Sequence, residues 1–126
     1  MAEPLKILTL SAEVAPFAKT GGLADVAGAL PKALRALGHE VRVVMPAYQT
    51  IESNQEKFGL RPMPGMLNVP TGGGTVPAGV FEGVLPGTDV PVYFIGERNL
   101  FYRPNIYGYE DDAYRFAFYC RAPSSC

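Results

Sequence analysis

The sequence predicts an α/β fold built on an open, doubly wound parallel sheet, and three observations predict it. Two short β-prone runs, residues 5–10 and 40–45, are apolar enough to be strands buried on two faces. Between them Leu23, Val26, Ala27, Leu30, Leu34 and Leu37 recur at steps of three and four, the spacing of a helix with one apolar face. A helix joining two parallel strands winds in the right-handed sense almost without exception, so this unit opens a Rossmann-like sheet.

Each element carries its own punctuation. Pro31 removes a backbone donor inside the helical pattern, so a break is expected near Leu30, with Pro31 opening a second segment at its first position. Gly38 supplies the left-handed residue that closes the helix, and His39 beside it reads as a surface residue rather than a ligand. Pro46 stops the second strand. Residues 51–58 form a short helical candidate, and the Gly- and Pro-rich stretch that follows, PMPGMLNVPTGGGTVP, reads as an irregular loop. Residues 80–85 and 90–95 are β-prone and flank Pro86-Gly87-Thr88-Asp89, a turn tetrapeptide, so a hairpin and a mixed sheet are expected there. From Asp111 onward, Ala113, Phe116, Ala117 and Cys120 lie on one helical face, with Asp111 or Asp112 as N-cap.

Composition sets the outer bounds. A chain of 126 residues, 48% hydrophobic, suits one soluble domain with an ordinary core. A net charge of -1, from 11 basic and 12 acidic residues, creates no uniform field to hold nucleic acid or an anionic membrane. Any recognition of phosphate must therefore be local. No apolar stretch approaches the roughly 20 residues that span a bilayer, and the first ten residues read as a strand rather than a leader, so a cytoplasmic placement is expected. Cys120 and Cys126 are expected to be free thiols, and with the lone His39 they complete no metal site.

The segment that carries chemistry is SAEVAPFAKTGGLADVAG, residues 11–28, at the carboxyl end of the first strand, where open α/β sheets bind ligands. Gly21 and Gly22 let a backbone come close to a ligand, the N–H groups at the helix start attract anions, and Lys19 adds a mobile cation beside them. Together these would suit a diphosphate. Spacing alone equally allows a tight strand-to-helix turn with a solvated lysine. The segment has neither the G-x-G-x-x-G spacing of a dinucleotide fingerprint nor the Gly-Lys-Ser/Thr of a Walker A loop, which argues against hydride transfer and P-loop NTPase chemistry.

The run ILTLSAEVAPFAKTGGLADVAGALPKAL resembles the N-termini of bacterial glycogen synthases and plant starch synthases, and its K-T-G-G-L-A-D stretch is highly specific to them. The resemblance continues through GHEVRVVMPAY, RNLFYRPNIYGY and DDAYRFAFYCRA, leaving only residues 49–79 weakly matched. It implies an incomplete Rossmann-like N-terminal domain of a GT-B glycosyltransferase over residues 1–122. In that architecture ADP-glucose sits in a cleft between two such domains, and glucose passes to the non-reducing end of an α-1,4-glucan with retention. It also implies that Lys19 contacts the sugar nucleotide, that Gly21 and Gly22 admit the leaving diphosphate, and that no metal or other cofactor is required. Preorganised donors that meet charge growing on a diphosphate act more strongly in the transition state than in the ground state.

Two further residues carry paired readings. Asp25, on the first helical turn, could face the cleft and bond sugar hydroxyls, or merely favour the helix dipole. Tyr107 resembles a family aromatic near the substrate cleft, where a sugar could stack, or is a packing residue. Asp111-Asp112 stands where family members commonly have Asp-Asn, which removes an amide donor at Asp112. Pro123-Ser124-Ser125-Cys126 departs from the family helix, and a truncation or frame change near residue 122 would explain it. On this reading no catalytic residue is assigned and the chain alone is expected to be inactive and poorly soluble. The alternatives are a stand-alone module binding a nucleotide sugar or glucan without chemistry, and another nucleotide-sugar transferase of the same architecture.

Overall fold

The computed structural model describes residues 3–122 and arranges them as a mixed sheet with helices set against it. In chain order the elements are β1 (Lys6–Leu10), α1 (Gly22–Ala36), β2 (Glu40–Pro46), α2 (Gln49–Glu52), α3 (Gln55–Phe58), β3 (Arg61–Pro62), β4 (Leu67–Thr71), β5 (Gly74–Val84), β6 (Pro91–Gly96), α4 (Arg98–Phe101) and α5 (Asp112–Arg121). The strands run in the order β1-β2-β6-β5-β3, with β4 also paired to β5. β1, β2 and β6 are parallel, as the strand-helix-strand pattern requires, while β5 is antiparallel to β6, β4 and β3. The expected mixed sheet and the hairpin around residues 86–89 are both present.

The core lies where β2 and β6 cross the middle of the sheet. Val43 pairs with Val92 and Met45 with Phe94, and all four are buried. Phe17, from the segment after β1, stands edge-on to Phe94 at 5.0 Å and to Phe58 at 5.2 Å, joining the sheet to α3. β2 is buried along its second half, but β1 is not the doubly covered strand the sequence suggests. It is the edge of the sheet, and Leu8 and Leu10 are exposed. On that side segment 63–67 arches over an apolar cavity of about 460 Å³ lined by Leu8, Val44, Met66, Tyr93 and Ile95 among others.

Helix α1 corrects two expectations. It is continuous from Gly22 to Ala36, with Pro31 inside it. Proline lacks only the donor to the residue four before it, and Pro31 is buried together with Ala24 and Gly28, so packing outweighs the lost bond. The helix lies down on these small residues, while Leu23, Val26, Leu30 and Leu37 are exposed. Its apolar periodicity is real, but of the predicted stripe only Ala27 and Leu34 pack against the core. The end is as expected: Gly38, at φ 94, donates to Arg35 O and His39 N–H donates to Leu34 O, a Schellman closure. His39 is partly buried and its Nδ1 accepts from Leu5 N at 3.0 Å.

Three other expectations change. The single helix over residues 51–58 is two separate turns, α2 and α3, closed by Gly59 at φ 67. The supposed loop is largely the β4–β5 hairpin, turning at Gly72-Gly73. Helix α5 buries Arg115, Phe118 and Tyr119, while Ala113, Ala117 and Cys120 are exposed, so its inner face is rotated from the predicted one. Cys120 is a free thiol; Cys126 lies outside the described residues.

A close approach fixes α1 against the segment before it. Ala15 N–H donates to Ala24 O at 3.0 Å, and a Cβ on Gly28 would stand 2.8 Å from Ala15 O, a backbone atom that cannot swing aside. Overpacking of this kind costs about 1–3 kcal/mol, against about 1 kcal/mol that alanine gains over glycine in a helix. Gly28→Ala is therefore expected to lower the thermal midpoint, whereas Gly21→Ala, whose Cβ meets nothing within 4 Å, leaves it nearly unchanged. Thermal unfolding followed by circular dichroism checks both.

Candidate functional site

The site is built on the connection from β1 to α1, residues 11–21. Most of that connection is nailed to the core. Val14, Phe17 and Ala18 are buried, and Ala18 N–H donates to Val14 O at 3.0 Å. Tyr48 Oη donates to Ala12 O at 2.7 Å, while Tyr119 Oη donates to Val44 O at 2.6 Å and accepts from Ser11 N at 3.1 Å. Burial pushes both phenols well above the ordinary tyrosine pKa, so they serve as fixed donors at any physiological pH. The peptide between Ala15 and Pro16 is cis.

From Lys19 to Leu23 the chain is exposed, and a buried carboxylate holds its start in place. Glu13 is 3% exposed. Its Oε1 accepts from Thr20 N at 2.7 Å, and its Oε2 accepts from Thr20 Oγ1 at 2.8 Å and from Tyr107 Oη at 2.7 Å. The N–H of Gly21, next along the chain, adds a smaller favourable interaction with the same carboxylate. Burial works to raise the Glu13 pKa, but the Thr20 N–H, the Tyr107 phenol, the Thr20 hydroxyl and the Gly21 N–H together hold it below the ordinary value.

Beyond this anchor the tip is open. Lys19 Nζ lies 2.9 Å from Asp25 Oδ1, with both side chains about half exposed at 53% and 57%. An exposed pair of this sort contributes only about 0.2–1 kcal/mol, so a ligand can displace it at little cost. Gly21 is the N-cap of α1, and no side chain caps the first turn. Neither glycine is demanded by the fold: Gly21 has φ -167, ordinary extended backbone, Gly22 is the first helical residue, and a Cβ at either would meet nothing within 4 Å. The tight-turn reading therefore gives no reason for glycine here. Chemically the tip offers uncapped helix N–H groups, a lysine and unobstructed backbone, a set suited to an anion. Among the described residues no group of His, Cys, Asp or Glu is arranged to hold a metal.

Tyr107 reaches this site from the far end of the chain. Its phenol is pushed up to about 12 by burial and by the bond to Glu13, its ring packs on Phe116 at 5.7 Å, and 40% of it is exposed. The turn carrying it is held by Arg115, which is fully buried. Arg115 donates from Nε to Leu100 O at 2.5 Å and from Nη1 to Ile106 O at 3.0 Å and Asp112 Oδ1 at 2.8 Å, and it lies over the rings of Tyr109 and Phe116. Asp112 in turn accepts from Gly108 N at 2.9 Å and Tyr109 N at 3.2 Å. Its role is thus that of an acceptor, for which a carboxylate serves, and the missing amide donor is not felt. Asp111 sits at the N-cap position but caps nothing; its carboxylate receives both guanidinium nitrogens of Arg103, at 2.6 and 2.8 Å.

The structure brings Lys19, Gly21, Gly22, Asp25 and Tyr107 to one end of the sheet. Sequence reading missed Glu13, the residue that joins them. The available signal was a glutamate inside an otherwise apolar segment, Val14 to Ala18 following it, where an acid is buried only if donors meet it.

Comparison with known proteins gives a consistent picture. A family model described as the starch synthase catalytic domain matches residues 6–125. Glycogen synthase of Moorella thermoacetica is 53% identical over 123 residues, 97% of this chain and 24% of that protein. Glycogen synthase 1 of Geobacter metallireducens is 48% identical over 94% of this chain, again 24% of the relative. Among solved structures, the catalytic domain of starch synthase IV from Arabidopsis thaliana, bound to ADP and acarbose, superposes with a TM-score of 0.83 at 30% identity, covering 98% of this chain and 25% of that one. The chain spans about a quarter of the length of the curated relatives it matches.

The lowered pKa of Glu13 has a consequence for acid stability. A carboxylate held below its ordinary 4.5 stabilises the fold above that pH, and the contribution fades as the pH falls through the folded value. Glu13→Gln should cost on the order of 1–3 kcal/mol at pH 7, the range for hydrogen bonds to a charged group. The gap between wild type and variant should close as the pH drops below 4.5. Urea unfolding at pH 7, 5 and 3.5 measures it, and a gap independent of pH would contradict the assignment.

Proposed function

The chain belongs to the starch synthase catalytic domain family, and from that premise we propose that the protein it forms part of transfers glucose from ADP-glucose to the non-reducing end of an α-1,4-glucan, with retention. The observation that carries the reading is the open tip of α1: an exposed K-T-G-G segment with no side-chain cap and two glycines that the fold itself does not need. In this reading the diphosphate lies over Gly21 and Gly22 and takes the first-turn N–H groups, and Lys19 leaves Asp25 to meet the phosphate charge. As the glucosyl bond breaks, negative charge builds on the leaving ADP, and donors already fixed in place stabilise that charge without reorganising. No metal is part of this proposal.

Asp25 and the exposed part of the Tyr107 ring flank this tip, and we assign them to the sugar side: Asp25 accepting from glucose hydroxyls once Lys19 has moved, Tyr107 offering a ring face to the sugar. Donor and acceptor in this family's architecture meet between two domains. A chain covering about a quarter of its relatives supplies one wall of such a cleft, and we assign it no transferase activity of its own. ADP-glucose and an α-1,4-glucan are thus the ligands proposed for the whole protein, a choice supported by the solved relative bound to ADP and acarbose.

Two measurements test this. Lys19→Ala in the whole protein should raise the KM for ADP-glucose roughly ten-fold or more, the loss of a hydrogen bond to a charged group, with the KM for glucan unchanged. An unaltered donor dependence would sink the donor-site reading. The 126-residue chain, incubated with ADP-[¹⁴C]glucose and glycogen, should incorporate no label above a blank, and incorporation would show that the transferase machinery resides in this chain.

A further inference from the structure

The described residues offer one group whose arrangement the donor-site reading leaves unused, the carboxylate of Glu13. Three hydrogen bonds converge on it, from the N–H of Thr20, the hydroxyl of Thr20 and the phenol of Tyr107. An ionised carboxylate has about four acceptor positions, so the protein itself takes most of them. It is also 3% exposed. Buried and bonded in this way, it is poorly placed for direct contact with a ligand or for work as a base.

What the carboxylate does is hold two separate pieces of chain together. The connection up to Ala18 is fixed by the core, through Val14, Phe17 and the bonds from Tyr48 and Tyr119. The exposed continuation through Thr20 and Gly21 has no apolar anchor, and Thr20 donates to Glu13 from both its N–H and its hydroxyl. Tyr107, 94 residues further along, closes on the same oxygen. Arg115 fixes the backbone beside Tyr107 through Ile106 O and Asp112. A continuous path of hydrogen bonds thus runs from the base of α5 to the K-T-G-G tip.

We propose that Glu13 is a positioning residue for the sugar-nucleotide donor, holding Thr20 and Gly21 so that Lys19 and the first-turn N–H groups of α1 face the diphosphate, with Tyr107 as the strut that fixes the carboxylate. The inference rests on the donor-site reading above. It assigns Tyr107 a second duty besides its exposed ring: its hydroxyl is committed to Glu13 and is not free for a ligand. The direction of the effect separates positioning from electrostatics. A buried anion beside a diphosphate site repels it, so if charge alone mattered, Glu13→Gln would tighten donor binding. If position matters, the amide NH₂ of glutamine meets donors where an acceptor is needed, the loop loosens and donor binding weakens.

The test is steady-state kinetics of the whole protein, varying ADP-glucose and glucan separately, at a temperature well below the unfolding midpoint of each variant. Glu13→Gln should raise the donor KM roughly ten-fold or more, as displaced positioning groups do, and leave the glucan KM within about two-fold. Tyr107→Phe keeps the ring on Phe116 and deletes only the hydroxyl, so it should shift the donor KM the same way by about three-fold, and it remains informative if the glutamine variant does not fold. The double variant should be no worse than Glu13→Gln alone, because both remove one interaction. Equal losses for donor and acceptor, a tighter donor KM, or additive single effects would overturn the proposal. Lys19→Ala measured alongside separates the two levels: if it raises the donor KM while Glu13→Gln does not, only the positioning role falls; if neither does, the donor-site reading falls with it.

Discussion

Everything in the candidate site depends on one buried carboxylate being satisfied from all sides. Burying an unpaired carboxylate is costly, and the cost is met at Glu13 by three hydrogen bonds rather than by a cation. The choice of partners has a structural effect that a lysine or arginine partner would not have. One donor is the backbone N–H of Thr20, so satisfying the charge also dictates the path of the chain into α1. The exposed tip is thereby given a defined shape without apolar side chains, which would crowd a ligand site. The third of these bonds, from Tyr107, makes that shape conditional on the turn between α4 and α5, whose own geometry rests on the buried Arg115.

Arg115 is the buried cation of the same region, though its Nη2 finds no hydrogen-bond partner among the described residues. Its guanidinium is fully buried and shares its charge among two carbonyls, Asp112 and the faces of aromatic rings. Burial alone would raise the Asp112 pKa, but the Gly108 N–H, the Arg115 guanidinium and the Tyr109 N–H hold it low, so the pair stays ionised. One such network lies at each end of the path that joins α5 to α1, and each is polar, directional and intolerant of small shifts. The hydrophobic core between β2 and β6 supplies stability to both, while the two networks supply register. Stability and site geometry are thus carried by different residues.

How much of this was legible follows from which forces leave a local trace. The parallel β1–α1–β2 unit was readable because period and punctuation are local: the three-four spacing, Gly38 and the β-branched run before Pro46. Which face of α1 is covered was not, since periodicity reports where apolar residues lie and not what meets them; the sheet takes Ala24, Gly28 and Pro31 because Gly28 permits the approach to Ala15 O. The β4–β5 hairpin was hidden by its prolines. Pro70 and Pro77 fall where β5 has β4 alone as neighbour, since its pairing with β6 begins only at Gly79, so their missing N–H groups break no central ladder. Lys19, Gly21 and Gly22 were found because a phosphate-suited set is contiguous. Glu13 was missed because its meaning depends on Thr20 seven residues on and Tyr107 far beyond, and no spacing rule links them.

The charges at the tip bear on how a sugar diphosphate would sit there. Close to the K-T-G-G segment the described residues place one cation, Lys19, against two carboxylates, Asp25 and Glu13. The helix terminus adds only about half a positive charge, and the nearby N–H of Thr20 is already spent on Glu13. A diphosphate brings more negative charge than this can balance. Arg103 does not help, being held in a two-pronged pair with Asp111. The tip can therefore shape and orient a diphosphate better than it can neutralise one. Bound as proposed, a diphosphate would keep part of its charge unbalanced by these groups. The weak Lys19–Asp25 pair fits the same logic: it keeps the lysine in place while the site is empty and yields when a stronger anion arrives.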